Sequence, residues 1–194
     1  MWEGVDLMST ADEHPDLLPA PAIAPAPLAR LDDGFAAFYR EELPAMVTLA
    51  AAIAGTGRAE EIAQDAMVRA HREWARISSY DKPGAWVRRV TTNLAISARR
   101  RSARERVALR RLSARATLDA PPPEVDEFWS LVRQLPPQQG AAVALYYLHD
   151  LSVADLAETL GCAEGTAKAH LHKARTSLAA RLAPPADPAE GAAR

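Results

Sequence analysis

The stretch SVADLAETLGCAEGTAKAHLHKARTSLAARL, Ser152–Leu182, decides the fold. Ser152 stands three residues before Asp155, an acidic variant of the capping box that opens a helix. Val153, Leu156, Ala157 and Leu160 follow at i, i+3, i+4 and i+7, the spacing of a short helix with one buried face. Gly161 suits the left-handed residue that closes such a helix. After a four-residue turn a longer helix begins, with Ala167, Leu171, Ala174, Leu178 and Leu182 on its inner stripe. Two helices joined by a tight glycine turn make a helix-turn-helix, whose second helix enters a major groove near its N-terminal end. Thr166, Lys168, Ala169, His170, His172, Lys173 and Arg175 are the side chains available there, and most are donors suited to phosphates and base edges. The same pattern fits a plain helical hairpin in a bundle, so the rest of the chain has to arbitrate.

His170 and His172 do not make a metal centre. Each helical residue turns about 100°, so residues two apart point about 200° from each other. The chain has one cysteine, Cys162, and contains neither HExxH nor CxxC. No metal or other cofactor is expected, and with no Gly-rich phosphate loop or nucleophile elbow the chain does not read as an enzyme.

The whole-chain net charge of −2 conceals a strong segregation. Residues 1–65 carry twelve acidic and three basic side chains, residues 66–118 three acidic and fourteen basic, and residues 119–194 ten acidic and six basic. A central block at +11 is the footprint of a polyanion partner or of a solvated arginine-rich helix. No apolar run reaches the 18 or more residues of a membrane span. The acidic, proline-interrupted start of the chain does not read as a secretory signal, and a lone cysteine fits a reducing compartment. Together these point to the cytoplasm.

The expected architecture is all-α, two small helical domains joined by a flexible linker, with the helix-turn-helix in the C-terminal one. Residues 1–31, rich in proline and alanine, read as a disordered extension. Residues 32–105 form the first module. There, a helix from near Gly34 carries Phe35, Phe38, Leu43, Val47 and Ala50, and Pro44 should kink or split it. A second helix, AEEIAQDAMVRAHREWARI, places Ile62, Ala66, Ala70, Trp74 and Ile77 near one face. SSYDKPG turns the chain into a third, Pro83 to about Arg104, with a stripe of Trp86, Val90 and Leu94. Residues 106–123 contain three consecutive prolines and read as the linker. Residues 124–183 form the second module, its first two helices separated at Pro136–Pro137, and residues 184–194 are a second disordered tail.

Three blocks in this order resemble the extracytoplasmic-function (ECF) group of sigma factors in the sigma-70 family, the promoter-specificity subunits of bacterial RNA polymerase. They are AEEIAQDAMVRAH, KPGAWVRRVTTNLAISARRR, and LPPQQGAAVALYYLHDLSVADLAETLGCAEGTAKAHLHKAR. The likeness covers residues 32–104 and 124–183. It implies that Glu61, Gln64, Asp65 and Val68 dock on the β′ clamp helices of core RNA polymerase, with the β flap as a further contact. It implies that the third helix recognises and opens the −10 promoter DNA through Trp86, Arg88, Arg89, Asn93, Arg99, Arg100 and Arg101, Asn93 lining a pocket for an unstacked base. The helix-turn-helix would read the −35 duplex. Core polymerase, promoter DNA and an anti-sigma factor are the implied partners.

The chain departs from the group at three places. Ala163 stands where a serine commonly caps the recognition helix, Met67 and His71 replace aromatic residues of the core-binding helix, and His170 replaces an arginine. A LuxR-type regulator shares the Lys-x-His pair of the last helix, but that alternative leaves KPGAWVRRVTTNLAISARRR unexplained.

Overall fold

The computed structural model describes residues 33–112 and 127–182. The terminal segments and most of the proposed linker lie outside these residues. Within them the elements are α1 (Asp33–Ala54), α2 (Ala59–Arg72), α3 (Trp74–Ile77), α4 (Pro83–Leu112), α5 (Glu127–Gln134), α6 (Pro137–His149), α7 (Val153–Leu160) and α8 (Glu164–Leu182), with a 3-10 turn at Thr56–Arg58. No strand occurs among the described residues.

Pro44 does not split α1, which runs unbroken from Asp33 to Ala54. The proline is exposed, so the Arg40 carbonyl that loses its N–H partner can turn to water. The expected single helix over 59–77 is two helices, α2 and α3. Glu73 interrupts it with φ −101° and ψ 7°, its N–H shared between the Arg69 and Ala70 carbonyls at 3.2 Å each. The break brings Trp74 against Phe35 and Phe38, with ring centroids 5.3 and 4.9 Å apart.

α4 extends to Leu112, through the first residues assigned to the linker. Its buried face is also turned from the expected Trp86–Val90–Leu94 stripe, which is only half-buried. Val87, Thr91, Thr92, Ala95, Ile96 and Ala98 are the buried positions instead. Periodicity overlooked the threonines because they are polar. Thr91 and Thr92 satisfy their hydroxyls on the Val87 and Arg88 carbonyls of the preceding turn, 2.9 Å each, which lets them enter a core.

The helix-turn-helix forms as its sequence spells it. Ser152 Oγ accepts from the Asp155 N–H at 3.1 Å and donates to the Asp155 carboxylate at 2.6 Å. Gly161 is left-handed, φ 66° and ψ 41°. The N–H groups of Gly161 and Cys162 donate to the Glu158 and Ala157 carbonyls, a Schellman closure. Ala167, Leu171, Ala174 and Leu178 are buried as expected, but Leu182 is 54% exposed and lies beyond the packed part of α8.

The two modules are not separate cores. One hydrophobic cluster runs from Leu49, Ile53 and Ile62 of the first module through Ala95 and Ile96 to Ala141, Leu145, Leu156 and Leu171 of the second. α1 packs on α5 and α6, and α4 on α6 and α7. Much of this seam is alanine, which brings helix backbones close. Side chains pin it at two places. Arg133 Nη1 donates to the Ala51 carbonyl at 3.0 Å, and Arg99 Nη2 donates to the Leu135 carbonyl.

Candidate nucleic-acid interface

α8 starts at Glu164 with Ala163 in the capping position. The Ala163 carbonyl takes the Thr166 and Ala167 N–H groups at 2.9 and 3.0 Å. Alanine offers no side-chain acceptor to the first free N–H groups. Glu164 adds a carboxylate in the first turn, favourable to the helix dipole, and lies 3.9 Å from Lys168 Nζ. Both side chains are largely exposed, so the pair contributes little.

Beyond that start, Thr166, Lys168, Ala169, His172, Lys173 and Arg175 are exposed and His170 is half-buried. The helical step divides them. Thr166, Ala169, His170 and Lys173 fall within about 100° of each other, and Lys168, His172 and Arg175 lie on the other flank. The two histidines are thus on different sides of the axis. No cluster of three metal-ligating side chains occurs among the described residues.

Arg175 is already engaged. Its guanidinium sits over the Tyr146 ring at 4.8 Å and the Tyr147 ring at 5.7 Å, and Nε donates to Tyr147 Oη at 3.2 Å. Hydrogen bonds to Tyr146 and Tyr147 raise its pKa further. Tyr147, half-exposed at the end of α6, was not singled out from sequence. Neither apolar periodicity nor a motif marks it, because its role comes from meeting a residue 28 positions away.

The residues expected at the −10 element divide into two sets. Arg89, Asn93, Arg100 and Arg101 are exposed, while Trp86, Arg88 and Arg99 are half-buried. Arg88 and Arg99 share the flank of α4 that meets the second module. Arg88 Nε is buried without a partner, as is Nε2 of His149 on α6. Burial, then the charge of Arg88, pulls His149 down to about 4, against a smaller upward pull from Asp150. Arg88 also acts on Glu42, whose carboxyl burial raises above its ordinary value. Gly84 leaves room for that carboxylate, which a Cβ there would strike.

Glu61, Gln64, Asp65 and Val68 come together on the exposed face of α2, with Val68 49% exposed. Glu61 pairs with Arg58 at 3.2 Å, and that hydrogen bond lowers its pKa. Met67 is 1% exposed and belongs to the core rather than to this strip. His71 is exposed, its ring 4.8 Å from Phe35. No helix among the described residues is long and apolar enough to cross a membrane.

Comparison with known proteins converges on one family. The profile of Sigma-70 region 2 matches residues 38–105, and that of Sigma-70, region 4 matches residues 126–178. The ECF RNA polymerase sigma factor EcfG of Rhodopseudomonas palustris is 32% identical over 150 residues, 72% of this chain and 80% of that protein. The ECF RNA polymerase sigma factor SigE of Mycolicibacterium smegmatis is 31% identical over 137 residues, 64% of this chain. The match spans only about half, 52%, of that relative. Among solved structures, the sigma factor RpoE of Bartonella quintana, crystallised with the anti-sigma factor NepR, aligns with a TM-score of 0.57. That alignment covers 76% of this chain and 96% of RpoE at 24% identity, a likeness of fold.

Proposed function

The chain belongs to the ECF RNA polymerase sigma factors, and on that premise we propose that it binds core RNA polymerase and directs transcription from specific promoters. Sigma factors are initiation factors without catalysis of their own, so the polymerase supplies the chemistry. The observation that carries the reading is the start of α8, where donors stand exposed on a helix fixed from behind by a buried stripe. Thr166, Ala169, His170 and Lys173 are assigned to the −35 base edges, and Lys168 and His172 to a flanking phosphate wall. Arg175, drawn onto the tyrosines, orients α8 against α6 and reaches DNA only at that edge.

On α4 the exposed set Arg89, Asn93, Arg100 and Arg101 is assigned to the −10 element, the arginines to phosphates and Asn93 to a base edge. Trp86 packs, and Arg88 and Arg99 become available only when the seam parts. Residues 32–105 serve as the polymerase-binding and −10 module, residues 124–183 as the −35 module, and the intervening chain as the tether. On α2, Glu61, Gln64 and Asp65 surround the exposed Val68, a strip suited to a basic partner helix and assigned to the β′ clamp helices. These partners place the protein in the cytoplasm. The co-crystal of RpoE with NepR supports an anti-sigma factor as the regulatory partner.

Transcription by core polymerase over a promoter library tests the reading. Addition of the protein should select one promoter class, and Lys168→Ala with His170→Ala should change the −35 preference. Tight binding to duplex promoter DNA without association with core enzyme would overturn it.

A further inference from the structure

Where the distal half of α4 meets the corner between α5 and α6, a cleft of about 830 Å³ is lined by Arg99, Arg100, Arg104, Arg106 and Arg133. That volume is in the range of small-molecule sites. Among the described residues, no ion pair within 4 Å joins Arg99, Arg100, Arg104 or Arg106 to a carboxylate. Glu105, the one acidic residue of α4, adds a minor pull on Arg58. Arg99 Nη1 is buried with no partner. Burial and then repulsion from Arg133 and Arg106 pull the Arg99 guanidinium down to about 10. Among the described residues, the hydrogen bonds of Arg104 and Arg106 are from Nε to carbonyls of their own helix. Pro137, the first residue of α6, lies on the same wall, so the positive end of a helix dipole adds to the arginine charge.

Several like charges gathered around one cleft call for an anion of high charge density. Guanidinium forks match phosphate oxygens two at a time. A carboxylate peptide brings about one charge per residue and more bulk, and a duplex is too wide to enter. We propose that this cleft binds a polyphosphate anion, inorganic or carried on a nucleotide, which ties α4 to α5 and α6. Because the α4 arginines and the start of α6 line the same cleft, the bound anion holds the seam closed. The inference does not depend on the promoter reading.

Calorimetric titration of the full chain with inorganic tripolyphosphate, GTP and guanosine tests it. Tripolyphosphate should bind, and Arg104→Gln with Arg106→Gln should weaken it at least about tenfold. The control pair Arg69→Gln with Arg72→Gln, exposed on α2, removes the same charge elsewhere and should leave it nearly unchanged. Arg104→Lys with Arg106→Lys keeps the charge but loses the forks, and should fall between; it decides the matter if the glutamine pair fails to fold. GTP binding more tightly than tripolyphosphate, with guanosine silent, assigns a nucleotide; equal affinities assign the inorganic chain. No binding at about 1 mM, or equal weakening by the α2 control, overturns the proposal. So does a single-stranded oligonucleotide that uses Arg104 and Arg106 and resists displacement by tripolyphosphate, which would give the cleft to nucleic acid.

Discussion

On α8, six of the seven side chains expected at DNA face solvent, and the seventh, His170, is half-buried. On α4 only four of seven do, because Trp86 packs and the second module has taken up Arg88 and Arg99. The two helices share a proposed task but differ in readiness. α8 is presented by its own module, with Ala167, Leu171, Ala174 and Leu178 anchoring it from behind. α4 is shared, one flank turned to the first module and the other to the seam. On the proposed reading the −35 and −10 elements lie some 25 base pairs apart, about 85 Å at 3.4 Å per step. A compact body of roughly 140 residues has a radius of gyration of about 14 Å. The seam must therefore part before both elements are read at once, and its alanine-rich, lightly pinned character suits an interface that opens.

The largest expected effect tests whether the seam is a true core. Leu145 is fully buried in the cluster shared by both modules. Leu145→Ala should cost about 2–5 kcal/mol in urea unfolding. Leu182→Ala, at the exposed end of α8, should cost no more than about 0.5 kcal/mol. Similar losses at both sites would mean that the shared core does not hold in solution.

The two helix starts of the helix-turn-helix differ by one hydroxyl. Ser152→Ala removes the acceptor of the Asp155 N–H and should cost about 1 kcal/mol. Ala163→Ser adds the missing cap at α8 and should stabilise by a similar amount. Hydrogen exchange at the Thr166 amide should slow in that variant if the start of α8 frays; unchanged exchange would show that Glu164 already suffices.

A pair of glycines gives a smaller contrast, of opposite sign. A Cβ on Gly140 in α6 would lie 2.8 Å from Arg99 Nη1 and 3.0 Å from the Val132 carbonyl oxygen. The arginine tip can move, but the backbone oxygen cannot, so Gly140→Ala should lose about 1 kcal/mol net of its helix-propensity gain. Gly165→Ala in α8 meets nothing within 4 Å and should gain up to about 1 kcal/mol. Thermal melting separates the two signs.

Several local features were readable from sequence, although the unbroken course of α1 through Pro44 and the break at Glu73 were not. The Ser152–Asp155 cap, the Gly161 turn, the break before Pro137 and the buried face of α2 follow from residues within a turn of each other. Most of what else could not be read depends on distant partners. The rotation of α4 turns on threonines that bond their own helix and on a second module that buries Ile96. The withdrawal of Arg88 and Arg99 needs His149 and Leu135, distant in sequence, to arrive beside them. A charge count marked residues 66–118 as basic but could not tell which arginines face solvent. The three proline residues at 121–123 suggested separation of the modules, whereas apolar complementarity across the chain brings them together.

The smallest effect at neutral pH, and the most specific to the seam, concerns His149. Its Nε2 is buried without a partner, and burial together with Arg88 holds its pKa near 4 against an ordinary 6.5. Above pH 6.5 the imidazole is neutral in folded and unfolded chains alike, and it adds no pH dependence. As pH falls from 6.5 towards 4 the unfolded chain takes up a proton that the fold refuses, so stability declines through that window. Below about 4 both forms are protonated and this contribution levels off. Burial raises the Glu42 carboxyl above its ordinary value, so the wild type alone cannot separate it from the imidazole. His149→Gln isolates the imidazole: its melting temperature should fall less than that of the wild type between pH 7.5 and 5.5. Parallel decline in both proteins would place His149 in water and the seam open around it. A difference confined to that window would place α6 against Arg88 in solution, and with it the closed flank of α4.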